Sequence, residues 1–140
     1  MMKNILGIIA LVSLLSSSLA LSSTRDCVVF FSPEGKSNDF YYYEAVTISK
    51  LLAKEFKKQG IRVTKDISQA NIGINLWSIP LVVGQRTIDQ GPFGTFKEDQ
   101  YAEGIMLFGF EGGKIILRKD YYTSNLLKTA RKIIHDLKCE

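Results

Sequence analysis

The chain has 140 residues, enough for one domain with a single core. Its 18 lysines and arginines exceed its 14 acids by four, and acidic and basic residues are interleaved along the sequence. That balance does not indicate nucleic-acid binding, which needs a concentrated basic surface. One histidine and two cysteines are too few for a zinc site if the cysteines pair, so we predict neither metal nor cofactor.

The N-terminus has the pattern of a secretory signal peptide. Lys3 precedes an apolar run over residues 5–15, and Ser18 and Ala20 place small side chains where a signal peptidase reads. The run is too short to span a bilayer, which takes about 20 residues. We predict a signal peptide over 1–20 and one exported domain over 21–140, periplasmic or secreted, with no membrane span after cleavage.

The two cysteines, Cys27 and Cys139, lie near the two ends of the predicted mature chain. An even number of cysteines in an exported protein favours a disulfide, because the compartment is oxidising. We predict one bridge that joins the two ends.

The first half of the domain alternates strands with a helix. A buried strand is predicted over 28–31 and a loop over 32–38. From 39 to 59 the apolar residues recur at helical spacing, and Gly60 is suited to end the helix. Ser37 or Asn38 is the predicted N-cap. The buried stripe of this helix is predicted to hold Tyr41, Ala45, Ile48, Leu52 and Phe56.

The loop at 32–38 contains Gly35-Lys36-Ser37, the end of a phosphate-binding loop pattern. The first glycine of that pattern would fall on residue 30, which is Phe30, so the backbone could not wrap a phosphate there. We therefore predict a polar turn and no nucleotide.

The second half reads as strands followed by a helix. Strands are predicted over 61–64, 70–78 and, more briefly, 81–88, with Pro80 limiting the second of them. Residues 89–103 are predicted to be mainly a loop. Gly112-Gly113 then indicates a hairpin turn, and residues 120–138 form a second amphipathic helix with a cap at Thr123 or Ser124. Its buried stripe is predicted to hold Leu126, Leu127, Ala130, Ile133, Ile134 and Leu137.

This order predicts an α+β fold. We expect a two-layer sandwich in which a mostly antiparallel sheet of four to five strands carries two amphipathic helices on one face. The second face of that sheet is not plainly polar. Successive side chains of a strand point to opposite faces, so Trp77 lies opposite Ile74 and Leu76, and Phe108 lies opposite Leu107. Either the segment 84–103 covers it, with Phe93 and Phe96 as plugs, or a partner or second copy of the chain does.

The segment from Glu44 to Trp77 resembles a group of bacterial envelope proteins. A helix ends at Gly60, a strand follows through Val63, and Ala70-Asn71 opens an alternating strand. In this it is similar to the N-terminal domain of the TolB type and to CsgG/LpoB-like lipoproteins, with asparagine in place of their usual aspartate. The resemblance covers about a quarter of the chain and implies a non-enzymatic domain that docks onto envelope proteins.

Two functions follow from these patterns. The first is an exported, non-enzymatic binding domain that docks onto another protein, with a homodimer as an option. Its candidate contact residues are Tyr42, Trp77, Arg86, Phe93 and Phe108. The alternative is a small secreted hydrolase or ligand-binding protein with a site near Trp77, Arg86 and the 84–103 segment. No motif marks a catalytic residue, and His135 is assigned to the end of the second helix.

Overall fold

The computed structural model describes residues 26–140, and the predicted signal peptide lies outside them. The elements in chain order are β1 (Val28–Pro33), α1 (Phe40–Lys58), β2 (Arg62–Val63), β3 (Ile72–Asp89), β4 (Thr95–Glu111), β5 (Lys114–Tyr122) and α2 (Leu126–Asp136). Short 3-10 turns stand at Ile67–Gln69 and Gly91–Phe93.

The sheet has five strands in the order β2-β1-β3-β4-β5. Strand β1 pairs in parallel with both β2 and β3, whereas β3–β4 and β4–β5 are antiparallel. The α+β class is confirmed, and the sheet is mixed, since two of its four strand pairings are parallel and two are antiparallel. Helix α1 is the reason, because a crossover helix returns the chain in the direction it had before, and the strands on either side of it then pair in parallel.

Helix α1 is capped by Asp39 instead of the predicted Ser37 or Asn38. The Asp39 carboxylate accepts a hydrogen bond from the Tyr41 N–H at 3.1 Å. Gly60, with φ of 84°, follows the helix in the left-handed region that glycine tolerates. Four of the five predicted stripe residues are buried, but Tyr41 is exposed, because it lies in the first turn, before the helix reaches the core.

The core lies between the two helices and one face of the sheet. Alternate residues of β3 and β4 are fully buried there: Ile72, Ile74, Leu76, Ile105 and Leu107. They share one cluster with Leu52 and Phe56 of α1 and with Ile133 and Leu137 of α2. Leu127, which we predicted to be buried, is 40% exposed because it lies off the stripe that faces this core.

The second helix is capped by Asn125 instead of the predicted Thr123 or Ser124. The Asn125 side chain accepts a hydrogen bond from the Lys128 N–H at 3.2 Å. The Thr129 hydroxyl donates to the Tyr122 carbonyl and so fixes the start of the helix against the end of β5.

Strands β3 and β4 continue far beyond the other strands as a two-stranded ribbon, residues 80–103 with the tip between them, which we call the hairpin arm. The predicted loop over 89–103 is therefore wrong, since Thr95–Glu111 is a strand. Pro80 does not end β3, because the pairing with β1 stops at Leu76 and the far side of β3 is then an edge that needs no N–H. A bulge between Val82 and Gly84 lies near the base of the arm.

Gly104 stands where the arm leaves the body. A Cβ placed there would lie 2.3 Å from Leu81 Cδ1 and 2.9 Å from the Tyr121 carbonyl oxygen. Only glycine fits this approach without displacing neighbouring atoms. The Gly112-Gly113 turn is present as predicted, with φ of 58° and 77°.

The predicted disulfide is present. Cys27, just before β1, is bonded to Cys139, just after α2, with their Cα atoms 5.8 Å apart and a sequence separation of 112. Both cysteines are buried. The bond ties the two ends of the described chain to the same core.

Candidate functional site

The sheet face away from the helices is largely apolar, with Ser32 and Asn75 as its polar members in β1 and β3, and carries no helix in the described part of the chain. We call it the open face. By strand register its large residues share one side of the pleat: Phe30, Trp77, Ile79, Met106, Phe108 and Phe110. Each is partly exposed, whereas their neighbours on the opposite side, such as Ile74 and Leu107, are fully buried. The sheet thus has one covered face and one that meets solvent.

The aromatic rings of the open face are ordered against one another. Trp77 meets Phe108 edge to face with centroids 5.5 Å apart, and Phe108 stacks on Phe110 at 6.4 Å. The Arg118 guanidinium lies 5.3 Å from the Phe108 centroid, over the ring. Such aromatic pairs contribute about 0.5–1.5 kcal/mol each beyond area burial. These contacts fix the rings relative to one another.

Glycine and charge shape the margins of this face. Gly73 lies between Phe30 and Phe110 in the register, and a Cβ there would meet no atom within 4 Å, so the face has a notch at that point. The charged residues Arg118 and Asp120 belong to β5, at the edge of the sheet. An apolar centre with charges at its margin is the pattern of a protein interface.

The segment predicted to cover the open face does not cover it. Residues 84–103 belong to the hairpin arm, which projects from the sheet. Phe93 is at the tip of the arm and 87% exposed, and Phe96 is exposed as well. Because both side chains are exposed, neither packs against the open face as a plug.

Arg86 lies in the arm and pairs with Glu98 on the opposite strand. Its Nε and Nη2 donate to one carboxylate oxygen at 3.2 and 3.0 Å. Arg86 follows Trp77 by nine residues on one continuous strand, a rise of roughly 30 Å. The structure therefore does not bring together the two residues on which the hydrolase or ligand-site alternative depended.

Tyr42 packs near the loop before its helix. A Cβ at Gly35 would lie 3.3 Å from Tyr42 Cβ, and the Tyr42 ring is 5.8 Å from that of Tyr43. Its neighbours Phe40 and Tyr43 are exposed. A shallow cleft of about 230 Å³ joins this aromatic group to the base of the arm, with Phe40 and Tyr101 among its walls. The sequence indicated the tyrosine run but not its position beside the arm.

A larger cleft, of about 780 Å³, lies between β5 and α2. Inside it the Tyr121 hydroxyl donates to Asp136 Oδ2 at 2.6 Å, and Lys119 Nζ donates to the same oxygen at 3.2 Å. Burial and the bond to Asp136 raise the pKa of Tyr121 well above its usual range. Burial acts to raise the pKa of Asp136, but the bonds from Tyr121 and Lys119 outweigh it and the pKa is lowered.

His135 lies in the last turn of α2, as predicted, and its Nδ1 contacts the Glu140 carboxylate. That hydrogen bond, together with the charge of Glu140, raises the pKa of His135. Sequence reasoning missed this cleft, although the spacing of basic residues along α2 is visible in the sequence.

Within residues 26–140 no group of three or more His, Cys, Asp or Glu side chains could hold a metal ion. No helix in that same range is both long and apolar enough to cross a membrane.

Comparison with known proteins finds distant structural likenesses. A PelC dodecamer from Paraburkholderia phytofirmans is similar at 14% identity and a TM-score of 0.41, over 84% of this chain and 90% of that one. A minor lipoprotein from Acinetobacter baumannii is similar at 12% identity and a TM-score of 0.41, over 81% and 93%. No family model and no curated protein matches the sequence. Likenesses this distant carry no functional argument, and the resemblance to TolB-type and CsgG/LpoB-like domains stays a prediction.

Proposed function

We propose that this chain is an exported, non-enzymatic binding domain that docks onto another protein through its open face. The observation that carries the proposal is the ordered aromatic cluster of Trp77, Phe108 and Phe110 on a sheet face that no described helix covers. The proposal includes a two-layer arrangement, with helices on one side of the sheet and the partner on the other. The single core shared by both helices supports that arrangement.

The composition of the open face favours a protein partner. Trp, Phe, Met and Arg are enriched at interface centres, and tryptophan and arginine dominate the residues that carry most binding energy. Trp77, Met106, Phe108 and Arg118 supply these types in adjacent positions. A contiguous apolar surface of this kind is rare on a protein that works alone.

Export is supported by the disulfide between Cys27 and Cys139, since such bonds persist in oxidising compartments. The N-terminal signal-peptide pattern points the same way. An envelope protein is the partner that the TolB-type resemblance implies. Against the enzymatic alternative, the separation of Arg86 from Trp77 leaves no common cleft for them.

Site-specific crosslinking tests the proposal. A photoreactive amino acid is placed at Phe110 on the open face, and in a matched control at Leu51, which is 43% exposed on the outer side of α1. Both variants are expressed in the cells that produce the protein, irradiated, and the adducts identified by mass spectrometry. We expect one defined protein adduct from position 110 and none from position 51.

The identified partner is then purified and its affinity measured by calorimetry. We expect Phe108→Ala to weaken binding about thirtyfold, the effect of losing a central contact worth about 2 kcal/mol, and Leu51→Ala to have no effect. Unchanged affinity in Phe108→Ala contradicts the proposal. So does an adduct at twice the mass of the chain, because it would make the open face a homodimer contact.

A further inference from the structure

The larger cleft offers a second and separate surface, which we call the edge cleft. Residues 119–122 of β5 form one wall and the exposed side of α2 forms the other. Thr129 is bonded to the Tyr122 carbonyl at one end, and Asp136 to Lys119 at the other. Seven helical residues and three strand residues both rise about 10 Å, so helix and strand run side by side along the whole cleft.

The helical wall of the edge cleft is basic. Lys128, Arg131, Lys132 and His135 occupy positions i, i+3, i+4 and i+7, which places them in one stripe, and all line the cleft and are exposed. None of the first three forms an ion pair within the described chain. Asp136 accepts hydrogen bonds from Tyr121 and Lys119, and His135 contacts Glu140. Asp120 also lines the cleft, but Lys128, Arg131 and Lys132 together outweigh its single negative charge.

The basic stripe lowers the stability of helix α2. Lys128 and Lys132 repel each other at i and i+4, and Lys128 stands near the positive end of the helix dipole. The first turn of α2 contains no acidic residue to compensate. Local repulsion without a partner inside the fold is typical of a surface that binds an opposite charge.

The strand wall offers backbone hydrogen bonds. Strand β5 is the last strand of the sheet and pairs only with β4 among the described strands, so apart from the Tyr122 carbonyl, which accepts from Thr129, its outer edge can accept another strand. An extended peptide can add to such an edge, with affinity from the main chain and selection from the side chains. The basic residues Lys114, Arg118 and Lys119 disfavour pairing of β5 with a second copy of itself.

We propose that the edge cleft binds an extended acidic peptide segment of a partner protein. The segment pairs with β5 alongside Asp120, before the Tyr122 carbonyl that Thr129 already occupies, and directs its carboxylates toward the α2 stripe. Alternate side chains on a strand are about 6.7 Å apart, and Lys128 and Lys132 are separated by about 6 Å along the helix. The geometry therefore matches acidic residues at every second position. The open face takes no part in this site, so the inference does not rest on the function proposed above.

The test uses a fluorescent ten-residue peptide of alternating glutamate and threonine and the full mature, oxidised chain. Fluorescence anisotropy at low salt measures the affinity. One control peptide replaces each glutamate with glutamine, and a second keeps the charges but replaces each threonine with proline, which cannot complete a strand ladder. An acidic oligosaccharide of equal charge is used as a competitor. We expect only the glutamate–threonine peptide to bind, with protection of β5 amides from hydrogen exchange.

The matched variants are Lys128→Glu with Lys132→Glu, and, on α1, Lys50→Glu with Lys54→Glu. Both pairs are exposed, have the same spacing and change net charge equally. We expect the α2 pair to weaken binding at least about tenfold and the α1 pair less than about twofold. Phe108→Ala should leave peptide binding unchanged.

Three results would each overturn the inference. The first is equal binding of the proline peptide, which would leave only a diffuse polyanion surface. The second is tighter binding of the oligosaccharide. The third is an absence of peptide binding at millimolar concentration.

Discussion

Replacing Cys27 and Cys139 with alanine should remove a large share of the stability of the domain. The chain-entropy relation for a loop of 112 residues gives a contribution of about 5 kcal/mol. Domains of this size have a total stability of about 5–15 kcal/mol, so the loss would be a third of it or more. At an unfolding entropy of about 2.1 cal/mol/K per residue over roughly 115 residues, this loss should lower the midpoint temperature of thermal unfolding by about 20 °C.

Urea unfolding of the mature chain, followed by circular dichroism, measures the loss. Wild-type chain under reducing conditions is the control, because it keeps both sulfur atoms in the core and so separates the bond from any cavity left by alanine. The variant and the reduced wild type should agree within about 1 kcal/mol. Both should show a steeper urea dependence, since an uncrosslinked unfolded chain exposes more surface. A loss below about 1 kcal/mol would refute the reasoning.

Two further predictions concern single positions. Gly104→Ala should destabilise the fold by about 2 kcal/mol or more in the same urea assay, because the Tyr121 carbonyl at 2.9 Å cannot move aside. Gly73→Ala is the control, since a Cβ there has open space, and it should cost less than about 0.5 kcal/mol. Equal losses of stability in the two variants would contradict this reasoning. Tyr121→Phe should raise the pKa of Asp136, read by carboxyl NMR, whereas Tyr122→Phe should not. Because the folded pKa of Asp136 is lowered, its stabilisation is present above the unfolded pKa and is lost as pH falls through the folded one, so Tyr121→Phe should cost about 1–2 kcal/mol at neutral pH and progressively less in acid. A cost that does not vary with pH would show that the tyrosine acts by packing alone.

Local patterns were enough to predict much of the body of the fold. The stripe from Ala45 to Phe56 predicted helix α1 because helical spacing alone determines which side chains can meet a core. The glycine pair at 112–113 predicted its turn for a similarly local reason. The parallel pairing of β1 with β3 could not be predicted in this way, since it depends on contacts between segments about 40 residues apart.

The hairpin arm shows where local reasoning fails. Residues 89–103 are polar and rich in turn signals, and they lie on no buried face, so they carry no hydrophobic alternation. They form a strand because β3 and β4 continue to pair with each other beyond the core. The open face was predicted from Trp77 and Phe108, but its freedom from a covering segment became visible only with the position of the arm.

The most direct test of the open face uses the single tryptophan of the chain, Trp77. A chain labelled with 5-fluorotryptophan gives one 19F signal from the centre of that face. The signal of the free chain should shift between H2O and D2O, because the ring is partly exposed. When the purified partner that was identified by crosslinking is added to saturation, we predict that this solvent shift disappears. A solvent shift that persists while binding is complete by calorimetry would contradict the assignment of the open face as the docking surface.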